Sequence, residues 1–130
     1  MKVDARRKDT LYINDGAFGT LYDAAHCKWV FPTRAFSGAG EPVTCRTSKT
    51  FDFYGPTCDS ADYLPGPFLL PDRIGEGDYI EVGNIGAYGR VMASRFNGYG
   101  YYDEVILEDE PMLSMYAAES EEEAAVSAAV

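Results

Sequence analysis

Short runs of alternating apolar and polar residues, separated by glycine and proline, constrain the fold of this chain more than any other feature. The 130 residues include 13 glycines and 7 prolines. Residues 10–16, 43–55 and 79–84 alternate as strands with one buried face do. The first run ends in Asp15-Gly16, a strong turn signal. Five or six short strands with irregular connections predict a mainly β domain, either an antiparallel barrel or a sandwich.

The segments around these runs carry weaker patterns. Residues 17–26 and 85–96 have apolar side chains at roughly helical spacing, which predicts two short helices. Residues 28–36 are predicted to form a strand, with Pro32 at a bend or at a sheet edge. Residues 97–109 are predicted to begin in a turn and to end as a strand.

Two regions are predicted to lack regular structure. Residues 56–78 are rich in glycine, proline and aspartate and read as a loop, with one short apolar run at residues 68–70. Residues 117–130 contain almost only alanine, glutamate and serine, which predicts a disordered tail or a frayed helix. We therefore expect one domain over residues 1–116 and an acidic tail after it.

The charge of the chain limits its partners. There are 21 acidic and 11 basic residues, which gives a formal net charge of −10. Such a surface repels nucleic acid and anionic membranes, and it permits a cationic small molecule or a basic protein. No apolar stretch approaches the ~18 residues of a membrane span, and the first residues do not resemble a secretory signal.

The cysteines predict neither a metal site nor a disulfide framework. Cys27, Cys45 and Cys58 are an odd number without Cys-x-x-Cys spacing, and His26 alone cannot complete a usual zinc site with them. A reduced, cytoplasmic protein is the natural interpretation. No catalytic serine, phosphate-loop or metalloprotease motif is present.

Cys58 is the residue whose role is hardest to assign from the pattern. It lies in a turn-rich loop, where function concentrates, but a free cysteine is most often a small buried hydrophobe. Asp59 and Asp62 flank it, and a carboxylate beside a thiol disfavours the thiolate. A thiol that keeps its proton is better suited to donate that proton than to attack as a nucleophile.

Asp59 and Tyr88 also allow two interpretations each. Asp59 is either an ordinary turn residue or a carboxylate that binds an ammonium group. Tyr88 lies among Gly86 and Gly89, which permit close approach of a ligand to the backbone. Its alternative is a core aromatic residue with a hydrogen-bonded hydroxyl.

Four sequence segments together resemble one known family. "LYINDGAFG", "YGPTCDSAD", "EGDYIEVGNIGAYG" and "FNGYGYYDEV" occur in this order between about residues 10 and 107. They resemble the carboxy-terminal β-domain of the pyridoxal-phosphate-dependent decarboxylases of basic amino acids, which have the alanine-racemase fold type and act on ornithine, lysine, arginine or diaminopimelate. The resemblance implies an antiparallel, Greek-key, barrel-like β-domain with short helices.

The resemblance also implies roles for individual residues. Cys58 would donate a proton to the substrate α-carbon after CO₂ leaves, and Asp59 would bind the distal amine of the substrate. Both would act in the active site of the partner subunit of a homodimer. Tyr88 would hydrogen-bond the cofactor phosphate, and Phe96 would line the substrate pocket. A second acid near the substrate amine would be Asp23, although the segment around it aligns loosely.

Two departures from the family refine this interpretation. Diaminopimelate decarboxylases usually carry Cys-Glu-Ser where this chain has Cys58-Asp59-Ser60, which favours ornithine or lysine as the substrate. Phe18 replaces a tyrosine that is common at the interface in the family.

The resemblance implies that most of the enzyme lies outside this chain. In the family, the cofactor lysine belongs to a preceding (β/α)₈ barrel, which needs about 250 residues. We therefore expect a fragment of a longer decarboxylase that neither binds pyridoxal phosphate nor releases CO₂ alone. The alternatives are a non-catalytic dimerisation or regulatory (decoy) module and a free-standing ligand-binding barrel.

Overall fold

The computed structural model describes residues 1–108, which form strands joined by two short helices and one 3₁₀ turn. The elements in chain order are β1 (Val3–Arg7), β2 (Thr10–Ile13), α1 (Tyr22–His26), β3 (Thr33–Phe36), β4 (Ser48–Tyr54), β5 (Tyr63–Pro71), β6 (Tyr79–Val82), α2 (Gly86–Val91) and the 3₁₀ turn Phe96–Gly98. The predicted mainly β class with short helices is confirmed.

The described strands form two sheets. A four-stranded sheet has the order β1-β2-β4-β5, and β3 pairs with β6 in a two-stranded sheet. An isolated bridge between Lys2 and Tyr79 joins the sheets. All named pairs are antiparallel except β2 with β4, which is parallel and places Tyr12 opposite Tyr54.

Alternation along the central strands builds the core. Leu11 and Ile13 of β2 and Phe51 and Phe53 of β4 are all buried, whereas the residues between them are half-buried on the other face. The Phe53 ring stacks on Phe68 of β5 with 4.2 Å between ring centroids. Burial of each such side chain contributes about 1.5–3 kcal/mol, so the period-two pattern determines which face of the sheet is covered.

The prediction of a loop over residues 56–78 is wrong in its middle part. Residues Tyr63–Pro71 form β5, the longest strand in the described part of the chain. Three prolines obscured it, because proline cannot donate a hydrogen bond to a neighbouring strand. β5 pairs only with β4 and forms an edge of the four-stranded sheet, where missing donors on the outer side are tolerated.

The strand predicted at the end of residues 97–109 is not formed in the part of it that the structure describes. Residues 101–108 have no regular structure, and Val105, Ile106 and Leu107 are exposed. A segment with alternating apolar and polar residues forms a strand only where a partner strand offers hydrogen bonds. None of the described strands pairs with this segment. The predicted tail, residues 117–130, lies outside the described residues.

The remaining differences concern the bounds of the elements. The helices predicted over residues 17–26 and 85–96 are formed only over Tyr22–His26 and Gly86–Val91. β1 was not predicted, since its sequence is mostly polar and shows little alternation. β4 begins at Ser48 and β3 at Thr33, several residues after the starts predicted from the pattern. Neither helix in the described region is long and apolar enough to cross a membrane.

Candidate functional site

The loop that connects β4 to β5, residues 55–62, wraps around the carboxylate of Asp62. Asp62 is fully buried. Its Oδ2 accepts hydrogen bonds from the backbone N–H of Thr57 at 3.1 Å and from the Thr57 hydroxyl at 2.7 Å. Its Oδ1 accepts one from the Ala17 N–H at 2.7 Å. A buried carboxylate needs several such donors, so the loop and the turn after β2 are held together by one side chain.

Parallel pairing of β2 and β4 brings these two segments together. The carboxyl ends of parallel strands lie at the same edge of a sheet, so the turn that begins at Asn14 and the loop that begins at Gly55 are neighbours. Glycine is required at Gly16 and Gly55, because a Cβ at either position would collide with the Asp62 carboxylate. The glycines therefore make the buried position of Asp62 possible.

Cys58 lies at the exposed tip of this loop. It is exposed, as are Cys27 and Cys45, and none of the three forms a disulfide. Its backbone is in the left-handed region with φ of 60°, which is unfavourable for a residue with a Cβ. The Cys58 Sγ lies 3.8 Å from the carbonyl oxygen of Pro56. Cys58 is thus neither a buried hydrophobe nor half of a disulfide.

Asp59 follows at the same tip and is partly exposed. Its Oδ1 accepts a hydrogen bond from the Ala61 N–H at 2.8 Å, the geometry of an aspartate-stabilised turn. The carbonyl of Asp59 accepts a bond from the Asp62 N–H at 3.0 Å. Asp59 therefore stabilises the turn and also presents a carboxylate at the surface beside the Cys58 thiol.

The 3₁₀ turn Phe96–Gly98 packs against this loop. The Asn97 side-chain amide donates a hydrogen bond to the Thr57 carbonyl at 2.8 Å. The Phe96 ring stacks on Phe18 with 4.4 Å between centroids, and Ser94 donates bonds to the Phe18 carbonyl from its N–H and its hydroxyl, at 2.9 and 3.1 Å. The structure thus brings predicted residue Phe96 close to the loop of Cys58.

A cavity of about 300 Å³ lies where the turn after β2, the loop at residues 55–62 and residues 94–102 meet. Its lining residues include Thr57, Asp62, Phe96 and Tyr102. Asp15 lines it too and is buried; it accepts hydrogen bonds from Thr20 and from the Tyr102 hydroxyl, the latter at 3.3 Å. Burial, together with the negative charges of Asp15 and Asp62, raises the pKa of Tyr102 to about 12. Tyr102 therefore keeps its proton and can act as a hydrogen-bond donor at neutral pH.

Asp23 and Tyr88 lie on the two helices, away from this network. Asp23 is in the first turn of α1, and its Oδ1 is 4.0 Å from the Cys27 Sγ. Tyr88 is on α2 and is 66% exposed. No hydrogen bond within the described residues joins either side chain to residues 55–62. The two helices that carry these residues contact each other.

Sequence reasoning missed Asp15, Thr57 and Asn97, and it treated Asp62 only as a flanking charge. Acidic residues in polar loops are normally solvated, so nothing in the local pattern indicated that Asp15 and Asp62 are buried. The one available signal was the glycine that follows Asp15, which was interpreted as a turn.

These features define a class of protein, a mainly β domain that presents a thiol and a carboxylate together on one exposed loop. A family model described as the C-terminal sheet domain of pyridoxal-dependent decarboxylases matches residues 1–86. The chain therefore belongs to this family, and the resemblance found in its sequence is confirmed.

Individual relatives agree with this assignment. The lysine/ornithine decarboxylase of Selenomonas ruminantium is 32% identical over 99 residues, which cover 76% of this chain and 23% of the relative. The chloroplastic ornithine decarboxylase of Nicotiana glutinosa is 37% identical over 94 residues, covering 68% and 21%. The chain thus spans less than a quarter of the length of these relatives.

Solved structures show the same fold. The arginine decarboxylase of Paramecium bursaria Chlorella virus matches with a TM-score of 0.64 and 26% identity, covering 78% of this chain and 27% of that one. A complex of SrLDC with pyridoxal phosphate and cadaverine matches with a TM-score of 0.62 and 26% identity, covering 96% and 31%.

Proposed function

We propose that this chain supplies a proton donor, Cys58, and an amine-binding carboxylate, Asp59, to a pyridoxal-phosphate-dependent decarboxylase of ornithine or lysine. The observation that carries the proposal is the exposed Cys58 next to the partly exposed Asp59, on a loop anchored by a buried carboxylate. Anchoring of this kind fixes reactive groups while leaving them accessible. Family membership supplies the reaction class.

The two side chains have separate tasks. The Cys58 thiol would deliver its proton to the substrate carbon from which CO₂ has departed, and general acids of this kind contribute about 10²–10⁴-fold to rate. The Asp59 carboxylate would bind the distal ammonium group of the substrate by a charge-assisted hydrogen bond. Asp23 would add a second negative charge near that amine, and Phe96 would contact the aliphatic part of the substrate.

Of the residues assigned in this chain, only Tyr88 would bind the cofactor. Pyridoxal phosphate, when bound, withdraws electrons from the α-carbon and so permits the loss of CO₂. Tyr88 has an exposed hydroxyl-bearing ring on a helix with glycines at positions 86 and 89, and its hydroxyl would donate a hydrogen bond to the phosphate. In the proposed enzyme, the lysine that binds the cofactor covalently would belong to the barrel domain and not to this chain.

The proposal implies two protein partners. One is the (β/α)₈ barrel domain that carries the cofactor, and the other is a second copy of the enzyme whose active site Cys58 and Asp59 complete. The exposed apolar side chains of Val105, Ile106 and Leu107 would pack against one of these partners.

An assembled enzyme tests this proposal. In the Selenomonas ruminantium lysine/ornithine decarboxylase, the C-terminal sheet domain is replaced by this chain; we call the product the assembled decarboxylase. We expect CO₂ release from ornithine or lysine above that of the barrel domain alone. A dimer that binds pyridoxal phosphate but releases no CO₂ would contradict the proposal and would favour the non-catalytic regulatory module.

Asp59→Asn should weaken substrate binding in the assembled decarboxylase. We expect KM for ornithine or lysine to rise by about 10- to 100-fold with a smaller change in kcat, since hydrogen bonds between charged groups contribute about 1.5–3 kcal/mol. Glu76→Gln is the matched control, because Glu76 is an exposed acid outside this loop. Equal KM values in the two variants would remove Asp59 from its role.

A further inference from the structure

Thr57, the residue before Cys58, is held by hydrogen bonds on both sides of its Cα. On one side, the Thr57 N–H and hydroxyl donate to Asp62 at 3.1 and 2.7 Å. On the other side, the Thr57 carbonyl accepts from the Asn97 amide at 2.8 Å. The bond from Asn97 holds the peptide group between Thr57 and Cys58. Rotation of this peptide group changes ψ of Thr57 and φ of Cys58 together, so the orientation of the thiol depends on that bond.

The anchor at Asn97 opposes a conformational strain at Cys58. Cys58 has φ of 60°, a region that residues with a Cβ occupy only when their surroundings enforce it. Without the Asn97 bond, rotation of the peptide group would relieve this strain and redirect Cβ and Sγ of Cys58. Asp62 alone would not prevent the rotation, because it binds the N-terminal side of Thr57.

The backbone conformation and the exposure of Asn97 suit this contact. It has φ of 52°, and asparagine is among the few residues other than glycine that adopt this conformation readily. The residue is exposed, so the core does not require its side chain. Its neighbour Phe96 stacks on Phe18, which fixes the turn that aims the Asn97 amide at Thr57.

We propose that Asn97 is a positioning residue that orients the Cys58 thiol through the Thr57 carbonyl and couples it to the turn carrying Phe96. The inference rests on the proposed function, because Asn97 affects the reaction only if Cys58 donates the proton. A displacement of about 1 Å at a reacting group can cost up to about 10²-fold in rate, so one hydrogen bond at this point has a measurable effect on chemistry.

Asn97→Gly is the appropriate variant, because glycine accepts φ of 52° and only the amide is lost. The matched control is Asn84→Gly, which makes the same change at an exposed asparagine with φ of 58°. No hydrogen bond within the described residues links the Asn84 side chain to residues 55–62.

The first measurement is amide hydrogen exchange of the full 130-residue chain. We expect the hydrogen-bonded amides of Gly55, Thr57 and Asp62 to exchange roughly fivefold faster in Asn97→Gly, as expected for one lost neutral hydrogen bond. Asn84→Gly should leave them unchanged. Equal exchange in the two variants would overturn the inference.

The second measurement is the product ratio of the assembled decarboxylase. CO₂ leaves its bonding electron pair on the substrate, and a proton added at the α-carbon gives the amine. If Cys58 did not deliver its proton to the α-carbon and the cofactor were protonated instead, the amino group would stay with the cofactor, and one water molecule would release the rest of the substrate as an aldehyde. We expect Asn97→Gly to raise the aldehyde fraction about tenfold over Asn84→Gly, with KM changed less than kcat.

The variant Cys58→Ala separates the two levels of the proposal. If Cys58→Ala raises the aldehyde fraction and Asn97→Gly does not, the inference about Asn97 is wrong and the proposed function stands. If Cys58→Ala itself leaves the ratio unchanged, the proposed function fails and the inference fails with it. Asn97→Asp provides a second variant, since it keeps the backbone preference but replaces the donor with an acceptor, and it should resemble Asn97→Gly.

Discussion

Cys58→Ala should lower the rate of amine formation by the assembled decarboxylase by about 10²–10⁴-fold, the usual contribution of a positioned general acid. Loss of CO₂ does not need the thiol, so decarboxylation should slow less than amine formation and the aldehyde product should increase. Binding of pyridoxal phosphate should be unaffected, because Cys58 is not proposed to contact the phosphate. Separate quantification of CO₂, amine and aldehyde would distinguish these effects.

Two exposed cysteines provide controls for this experiment. Cys27→Ala and Cys45→Ala remove thiols that are also exposed but lie outside the loop at residues 55–62. They should leave the ratio of amine to aldehyde unchanged. If Cys58→Ala behaves like these two variants, Cys58 is not the proton donor.

Asp62→Ala should cause the largest loss of stability among the substitutions considered for this loop. It leaves three buried donors without a partner, the Thr57 N–H, the Thr57 hydroxyl and the Ala17 N–H. Each unsatisfied donor costs about 1–3 kcal/mol, and the costs are not additive. We expect the free energy of unfolding to fall by about 3–5 kcal/mol, a large share of the stability of a single domain.

Urea denaturation of the full chain measures this loss, and Asp59→Ala is the matched control. Asp59 lies in the same loop but is partly exposed and accepts one backbone hydrogen bond through its side chain, so its replacement should cost about 1 kcal/mol or less. Equal losses for the two variants would show that Asp62 does not anchor the loop. In the assembled decarboxylase, Asp62→Ala should also raise the aldehyde fraction, because Thr57 loses its second anchor.

The central strands were predictable because burial acts on alternate residues. Leu11, Ile13, Phe51 and Phe53 all point to the covered face, and their spacing shows it without knowledge of any partner strand. β5 was not predictable in the same way. Its prolines are acceptable only at a sheet edge, and the position of a strand within a sheet depends on contacts between residues distant in sequence.

The sequence predicted the exposed residues of the candidate site, but not the residues whose hydrogen bonds hold them in place. Cys58, Asp59 and Phe96 were assigned through a resemblance in sequence, and their roles stay predictions. Asn97 and Asp15 lie in segments that carry the same resemblance, but no role was assigned to them. Their hydrogen bonds, from Asn97 to Thr57 and from Tyr102 to Asp15, exist only after the chain has brought distant segments together. The same reason applies to the strand predicted after residue 100, because none of the described strands pairs with residues 101–108.

Parallel alignment of β2 with β4 has a consequence for the folding kinetics of this domain. The hairpin of β4 and β5 joins neighbours in sequence, whereas β2 reaches β4 only after residues 14–47 have closed into a crossover. Closure of a long segment costs chain entropy before its contacts form, and such non-local pairing slows folding. We therefore expect the hairpin to form first with a mobile tip, and the tip to become rigid only when the crossover is complete.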